Sequence, residues 1–289
     1  APKYHTKLIS TDKVIRQAGV EQLEFEPDKA KEIAENILER AIEAFGKRGQ
    51  VNIPQVKHKA VAGFTTESVV NALGGSVKPL IDAIVNGSVK GVAAVVGCTT
   101  VREFQSGRHI TNLVRELIKR DILVIGAGCC SSTMQNAGLM STEAIKEAGK
   151  NLAGVCSSLG VPPCLSYGSC TDIGKIIGTA VAIAETLGVD IPDLPIVASA
   201  PEYMEQKAVA DAFTAVAFGI TLHLSPAPPV LGSATVTRIL TQDVESLTGG
   251  KVFVELDPVK TADAMEAHIL KKRQALGLRT EKEAVACRE

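Results

Sequence analysis

Short apolar runs alternate with long amphipathic stretches along most of this chain. The runs are Ala60–Phe64, Gly91–Val96, Ile122–Ile125, Pro163–Ser166, Pro195–Ala198, Ile220–Leu224 and Val252–Leu256. They are rich in Val, Ile and Ala and apolar at both odd and even positions, which predicts strands of a parallel sheet covered on both faces. The clearest helical stretch is Val101–Arg120. It sets Ile110, Leu113, Val114, Leu117 and Ile118 on one stripe and Arg108, Arg115 and Lys119 elsewhere. Asp172–Leu187, Glu202–Phe218, Ser233–Leu247 and Pro258–Leu276 read likewise. Repeated βα units of this kind predict an α/β fold: a doubly wound, mostly parallel, Rossmann-like sheet with helices on both faces.

The first 50 residues have a different pattern. Lys7–Thr11 reads as one strand, and a charged helix follows from Asp28 to Lys47, opened by Pro27-Asp28 and closed by Gly46 and Gly49. Gly49-Gln50-Val51-Asn52-Ile53-Pro54 reads as a linker. Residues 1–50 are therefore expected to be the tail of a preceding domain with its linker, and 51–289 a carboxy-terminal α/β domain. A length of 289 residues suits such a two-part division.

Composition narrows the function classes. With 31 basic and 32 acidic residues, no Trp and 3% aromatics, the chain lacks the basic field and stacking platforms of a nucleic-acid binder. No apolar run approaches the roughly 20 residues that a bilayer requires. The opening Ala-Pro-Lys-Tyr carries no charged-then-apolar leader. Of seven cysteines, six (98, 129, 130, 156, 164 and 170) fall within residues 98–170. Thiols clustered in a chain of this length point to a reducing, cytoplasmic setting and to metal or redox chemistry rather than disulfides.

Three cysteines occupy equivalent places in successive βα units: Gly97-Cys98, Gly128-Cys129 and Gly168-Ser169-Cys170. Residues just past the carboxyl ends of parallel strands gather on one rim, where open α/β sheets bind ligands. Glycine beside each cysteine permits a sharp turn or a close approach to a bulky group. Three thiols on one rim suggest soft-metal ligation, for iron–sulfur or a related centre. Cys130 either points away or offers a spare ligand. Cys156 in mid-helix and Cys164 inside a strand read as small buried hydrophobes, and Cys287 as an inert tail residue.

Past the next strand, Pro201 suits a first helical turn and Glu202 the positive end of that helix's dipole. Lys207, one to two turns in, reads either as a solvated lysine or as a general acid at the same rim. His223, inside an apolar strand, reads as a satisfied core residue, and His109 as a surface one. Gly126-Ala127-Gly128 lacks the third glycine and the later acidic residue of a dinucleotide loop.

The segments Val95-Val96-Gly97-Cys98, Glu116-Leu117-Ile118-Lys119-Arg120-Asp121, Gly128-Cys129, Gly138-Leu139-Met140, Gly168-Ser169-Cys170-Thr171-Asp172 and Ser199-Ala200-Pro201-Glu202-Tyr203-Met204-Glu205-Gln206-Lys207-Ala208 resemble the carboxy-terminal part of the nickel–iron carbon monoxide dehydrogenase family. The likeness runs from about Leu8 to Leu278. Hybrid cluster proteins are a sister family that shares the three cysteines and the Glu-Gln-Lys-Ala step.

The resemblance implies a nickel–iron–sulfur cluster converting CO and water to CO2, two protons and two electrons. In it Cys98, Cys129 and Cys170 match cluster ligands and Lys207 the lysine that hydrogen-bonds bound CO2. It also implies further 4Fe–4S clusters and the remaining ligands in amino-terminal and middle domains outside this chain, a homodimer, and a ferredoxin-like electron acceptor. Two other readings stay open. In a hybrid-cluster-type redox protein acting on hydroxylamine or nitric oxide, Glu205 would join the cysteines as an oxygen ligand. The third is a metal-free structural α/β subunit.

Overall fold

The computed structural model describes residues 8–14, 16, 18–50, 52–57, 59–100, 106–204 and 206–279. Cys287 and Glu205 lie outside the described residues. The chain divides into two units, Ala1–Lys57 and His58–Glu289.

The first unit pairs β1 (Ile9–Ser10) in parallel with β2 (Glu21–Gln22) and continues into α1 (Ala30–Lys47). Pro27 opens a single 3-10 turn ahead of α1, which then runs to the end expected from sequence. None of its residues is buried within the unit.

The second unit begins with α2 (Thr66–Ala72) and α3 (Lys78–Val85) and then alternates strands with helices. In order these are β3 (Gly91–Gly97), α4 (Arg108–Lys119), β4 (Ile122–Gly128), α5 (Cys129–Asn136), α6 (Lys150–Leu159), β5 (Cys164–Ser166), α7 (Ile173–Leu187), β6 (Ile196–Ala200), α8 (Gln206–Ala217), β7 (Thr221–Leu224), α9 (Ala234–Arg238), α10 (Val244–Thr248), β8 (Val252–Val254) and α11 (Pro258–Ala275). The six strands β3–β8 form one fully parallel sheet in the spatial order β5-β4-β3-β6-β7-β8. The chain starts at the middle, winds outward through β4 and β5, then returns to build the other half. This is the doubly wound order, with its switch point between β3 and β6.

Successive strand residues face opposite sides. Gly91 looks toward Ile269 of α11, which packs with α4 on one side of the sheet. Val92, Ala94 and Val96 face the other side and line, with α7 and α8, an apolar cavity of about 270 Å³. The stripe predicted on α4 is fully buried at Ile110, Leu113, Val114, Leu117 and Ile118.

Four features depart from the sequence pattern. Ala60–Phe64 is not a strand: only Ala62 bridges β5, at Ser166, because the Thr65 side chain caps α2 immediately afterwards. Ser233–Leu247 is three consecutive pieces, with a π turn at Ile239–Asp243 between α9 and α10. The helix expected from Glu202 begins at Gln206, and residues 201–204 are a turn and irregular chain. Finally, α2, α3 and α5 are short helices within segments too brief for the periodicity to declare.

Candidate functional site: a cysteine-bearing rim

The carboxyl ends of β3, β4 and β5 lie side by side. Gly97 stands opposite Gly128 in the β3–β4 register, and the Gly128 N–H donates to the Gly168 carbonyl beyond β5 at 3.0 Å. Cys98 follows Gly97 directly, Cys129 is the first residue of α5, and Cys170 opens a 3-10 turn. Gly128 adopts φ +77°, and a Cβ there would stand 2.9 Å from the Gly97 carbonyl oxygen and 3.4 Å from Cβ of Cys170. No larger residue fits that step without pushing the three strand ends apart.

The thiols separate by environment. Cys129 is exposed, Cys170 half-buried, and Cys98 8% exposed. Cys130 points inward, fully buried, and its Sγ donates to the Cys98 carbonyl at 3.5 Å. Burial first, then the negative charge of Glu202 and the neighbouring Cys98 and Cys129, push the Cys130 thiol well above its usual range. Burial alone pushes Cys156 up to about 12, and burial with nearby Cys156 raises Cys164. These three thiols resist becoming the thiolates that metals take. Among the described residues, no three His, Cys, Asp or Glu side chains converge on a single metal ion. A cluster differs from a single ion in spreading its thiolates over several metal atoms, so its cysteines surround a volume rather than meet at a point. The rim suits such a group in donor chemistry, and the tight Gly97–Gly128 step draws the three cysteine-bearing strand ends together.

Across the switch point, Lys207 is the second residue of α8, exposed, and in the first turn rather than one to two turns in. Among the described residues, Asp211, one turn on, is the sole charged one lining the apolar cavity, which reaches the rim at Gly97, Ala200 and Ala208.

Glu202 departs furthest from its sequence expectation. It does not serve its own helix: fully buried, it reaches the amino end of α4. Its Oε2 accepts from the N–H of Thr100 at 3.1 Å and Gly107 at 2.9 Å, and its Oε1 from those of His109 at 3.1 Å and Ile110 at 3.3 Å. The start of the helix after the first strand is where doubly wound folds cradle a dinucleotide pyrophosphate. Here that place is filled by an internal carboxylate. Nothing local pairs residue 202 with residues 100–110, so only the crossover reveals it.

The histidines split. His223 is a satisfied core residue: its Nδ1 bonds Ser199 Oγ at 2.8 Å and its Nε2 the Glu255 carbonyl at 2.8 Å. The carbonyl can only accept, so Nε2 carries the proton and Nδ1 accepts from Ser199. His109, expected at the surface, is 5% exposed, with its ring 6.5 Å from that of His223.

Comparison with known proteins agrees with this architecture. The sequence profile described as Prismane/CO dehydrogenase family matches residues 1–259. A carbon monoxide dehydrogenase of Methanocaldococcus jannaschii is 49% identical over 280 residues, and one of Archaeoglobus fulgidus 46% identical over 279; each alignment covers 96% of this chain and 45% of the relative. Among solved structures, the Ni-free carbon monoxide dehydrogenase of Thermococcus sp. AM4 superposes with a TM-score of 0.88 at 44% identity, over 95% of this chain and 44% of that one. Carbon monoxide dehydrogenase IV from Carboxydothermus hydrogenoformans gives a TM-score of 0.88 at 43% identity, over 96% and 46%. The chain thus spans about half the length of the relatives it matches. Its doubly wound sheet, its rim of cysteines and these alignments make it a member of the Prismane/CO dehydrogenase family.

Proposed function

We propose that this chain supplies the carboxy-terminal half of a carbon monoxide dehydrogenase site, oxidising CO with water to CO2, two protons and two electrons. The observation that carries the reading is the set of three cysteines at the ends of three adjacent parallel strands, in a chain 40–49% identical to proteins of that name. A further solved relative, an acetyl-CoA synthase/carbon monoxide dehydrogenase at 31% identity and TM-score 0.86, carries NiZn[Fe4S4] and NiNi[Fe4S4] clusters in its alpha subunits.

Cys98, Cys129 and Cys170 are the residues proposed to hold a nickel–iron–sulfur cluster. When bound, that group supplies redox-active metals with soft sulfur ligands to take up the two electrons. The remaining ligands and any further 4Fe–4S clusters are assigned to polypeptide beyond these 289 residues, in keeping with the length of the relatives. The chain's own residues have three tasks. Lys207 as an ammonium would donate N–H groups to an oxygen that gains negative charge. After giving its proton to solvent, its neutral amine would take the next proton from the reaction. Glu202 fixes the backbone around Cys98. The cavity, mostly apolar and with Asp211 as its one charged lining residue among those described, suits a small uncharged gas better than a charged metabolite. A ferredoxin-like acceptor, a homodimer and a cytoplasmic setting complete the proposal. Among the described residues no helix is long and apolar enough to cross a membrane.

The test is metal analysis and CO-dependent viologen reduction on the intact protein purified without oxygen. Alanine at Cys98, Cys129 or Cys170 should remove iron and activity, whereas alanine at Cys156 or Cys164 should retain iron. Lys207→Ala should keep iron and lower turnover by roughly 10²–10⁴-fold. A colourless, iron-free protein with all thiols titratable overturns the reading. Loss of iron in Glu205→Gln, with activity on hydroxylamine instead of CO, would move it to the hybrid-cluster chemistry.

A further inference from the structure

Glu202 has no counterpart in the usual vocabulary of helix caps. The residue preceding α4, Gly107, has no side chain to cap it, and the first amide groups of that helix are buried. The carboxylate that satisfies them comes from the far half of the sheet, two residues past β6. The same carboxylate also takes the N–H of Thr100, two residues beyond Cys98. One side chain therefore ties Thr100, at the Cys98 end, to Gly107 and the first turn of α4. Its charge is matched to the positive end of α4, and a charge-assisted bond to backbone N–H is stronger than a neutral one. A second tether, from Cys130 Sγ to the Cys98 carbonyl, holds the same step from β4's side.

We propose that Glu202 is the positioning residue of the rim: by binding four backbone N–H groups at the switch point it fixes the Cys98 loop, and through it the place of the Cys98 thiolate. The inference rests on the reading of Cys98 as a cluster ligand. The hydrogen bonds of the Glu202 carboxylate run to four backbone N–H groups. Its carboxylate faces away from solvent onto amides, so its effect reaches the cluster through the backbone of residues 98–100.

Three variants of the intact protein test this. Glu202→Ala leaves four donors facing a void. Glu202→Gln keeps the shape but turns an NH2 group onto two of them. Glu202→Asp keeps the charge but shortens the reach. Amide exchange at Thr100, Gly107, His109 and Ile110 should quicken by on the order of tenfold or more in Ala and Gln, because charge-assisted bonds are lost.

In the loaded protein, the cluster's electron paramagnetic resonance signal and reduction potential should shift. The turnover number for CO should fall while KM stays within about twofold, since CO does not meet Glu202. Formate, a small carboxylate able to enter the vacated space, should restore exchange protection in Glu202→Ala and move the resonance signal back toward wild type.

Wild-type exchange, potential and iron content in Glu202→Ala would overturn the proposal. So would faster exchange with an unchanged resonance signal and potential, which would make Glu202 a structural cap only. If Glu202→Ala does not fold, the Gln and Asp variants decide on the same readouts. Should the wild-type protein hold no iron, the proposed function fails first. The exchange and formate measurements on the metal-free protein then still show whether the loop depends on this carboxylate.

Discussion

At the residue scale, burial decides which titratable groups serve chemistry and which serve the core. His223 has both ring nitrogens engaged and no exposure, and burial holds it down at about 4 against an ordinary 6.5. Between those values the unfolded chain takes up a proton that the folded one refuses, so stability is full above pH 6.5 and falls as pH drops toward 4. The loss from this residue is roughly 3 kcal/mol by pH 4, at about 1.4 kcal/mol for each pH unit crossed. Urea midpoints measured at pH 7, 5.5 and 4.5 should fall more steeply for wild type than for His223→Asn, which lacks the titrating ring; parallel curves would show that the ring is not the group responsible. That His223 belongs to the core was legible from its apolar strand. The burial of His109 was not: it read as a surface residue within one long helix from Val101, whereas α4 starts at Arg108 and the His109 N–H donates to the buried Glu202.

At the element scale, helices α4 and α6 begin without a capping side chain of their own. Gly107 precedes α4 and Gly149 precedes α6; Glu202 serves the first, and Asp121 the second through bonds to the N–H of Asn151 at 3.1 Å and Leu152 at 2.8 Å. Neither start has a capping side chain among its own neighbouring residues, whereas α11, capped by its own Asp257, begins at Pro258, where the sequence pattern starts it. The strands were legible because both of their faces are apolar; their ends were less so, since a strand's last residues depend on the neighbour they pair with. Gly91 shows how tightly the elements meet. A Cβ there would lie 2.3 Å from the Pro195 carbonyl oxygen and 2.7 Å from Cγ2 of Ile269. Gly91→Ala must push β3 away from β6 or α11, and should cost about 1–3 kcal/mol or more in a denaturant titration. A neutral result would mean that α11 shifts freely on the sheet.

At the scale of the whole molecule, the winding order brings together residues that the chain keeps far apart. It places the cysteine ends of β3, β4 and β5 on one rim, and the α8 lysine across the switch point from all three. It also leaves the apolar cavity between sheet and helices, which reaches the rim at Gly97, Ala200 and Ala208. Ala212 of α8 lines that space and is 5% exposed. Ala212→Leu should fill the void with little loss of stability, since an existing cavity of this volume accepts the added methylenes that a packed core would not. If gas enters by this route, the variant should raise KM for CO several-fold in viologen assays while keeping its iron. An unchanged KM would assign gas entry to another path.

Local pattern was enough to establish the class of fold, the place and parallel direction of the six sheet strands among the seven runs it offered, and the three cysteines that share a position in successive βα units. These follow from local rules: two-sided apolar runs make buried parallel strands, and a residue's offset from its strand end sets which rim it joins. Long-range contacts alone dictate that Glu202 caps a helix 90-odd residues earlier in the chain, that Cys130 turns inward while Cys129 stays at the surface, and that Ala60–Phe64 gives a single bridge. Each of those outcomes depends on what lies across the switch point or along the sheet edge. Hydrogen bonds and burial between distant segments settle such matters, and no window of neighbouring residues contains them.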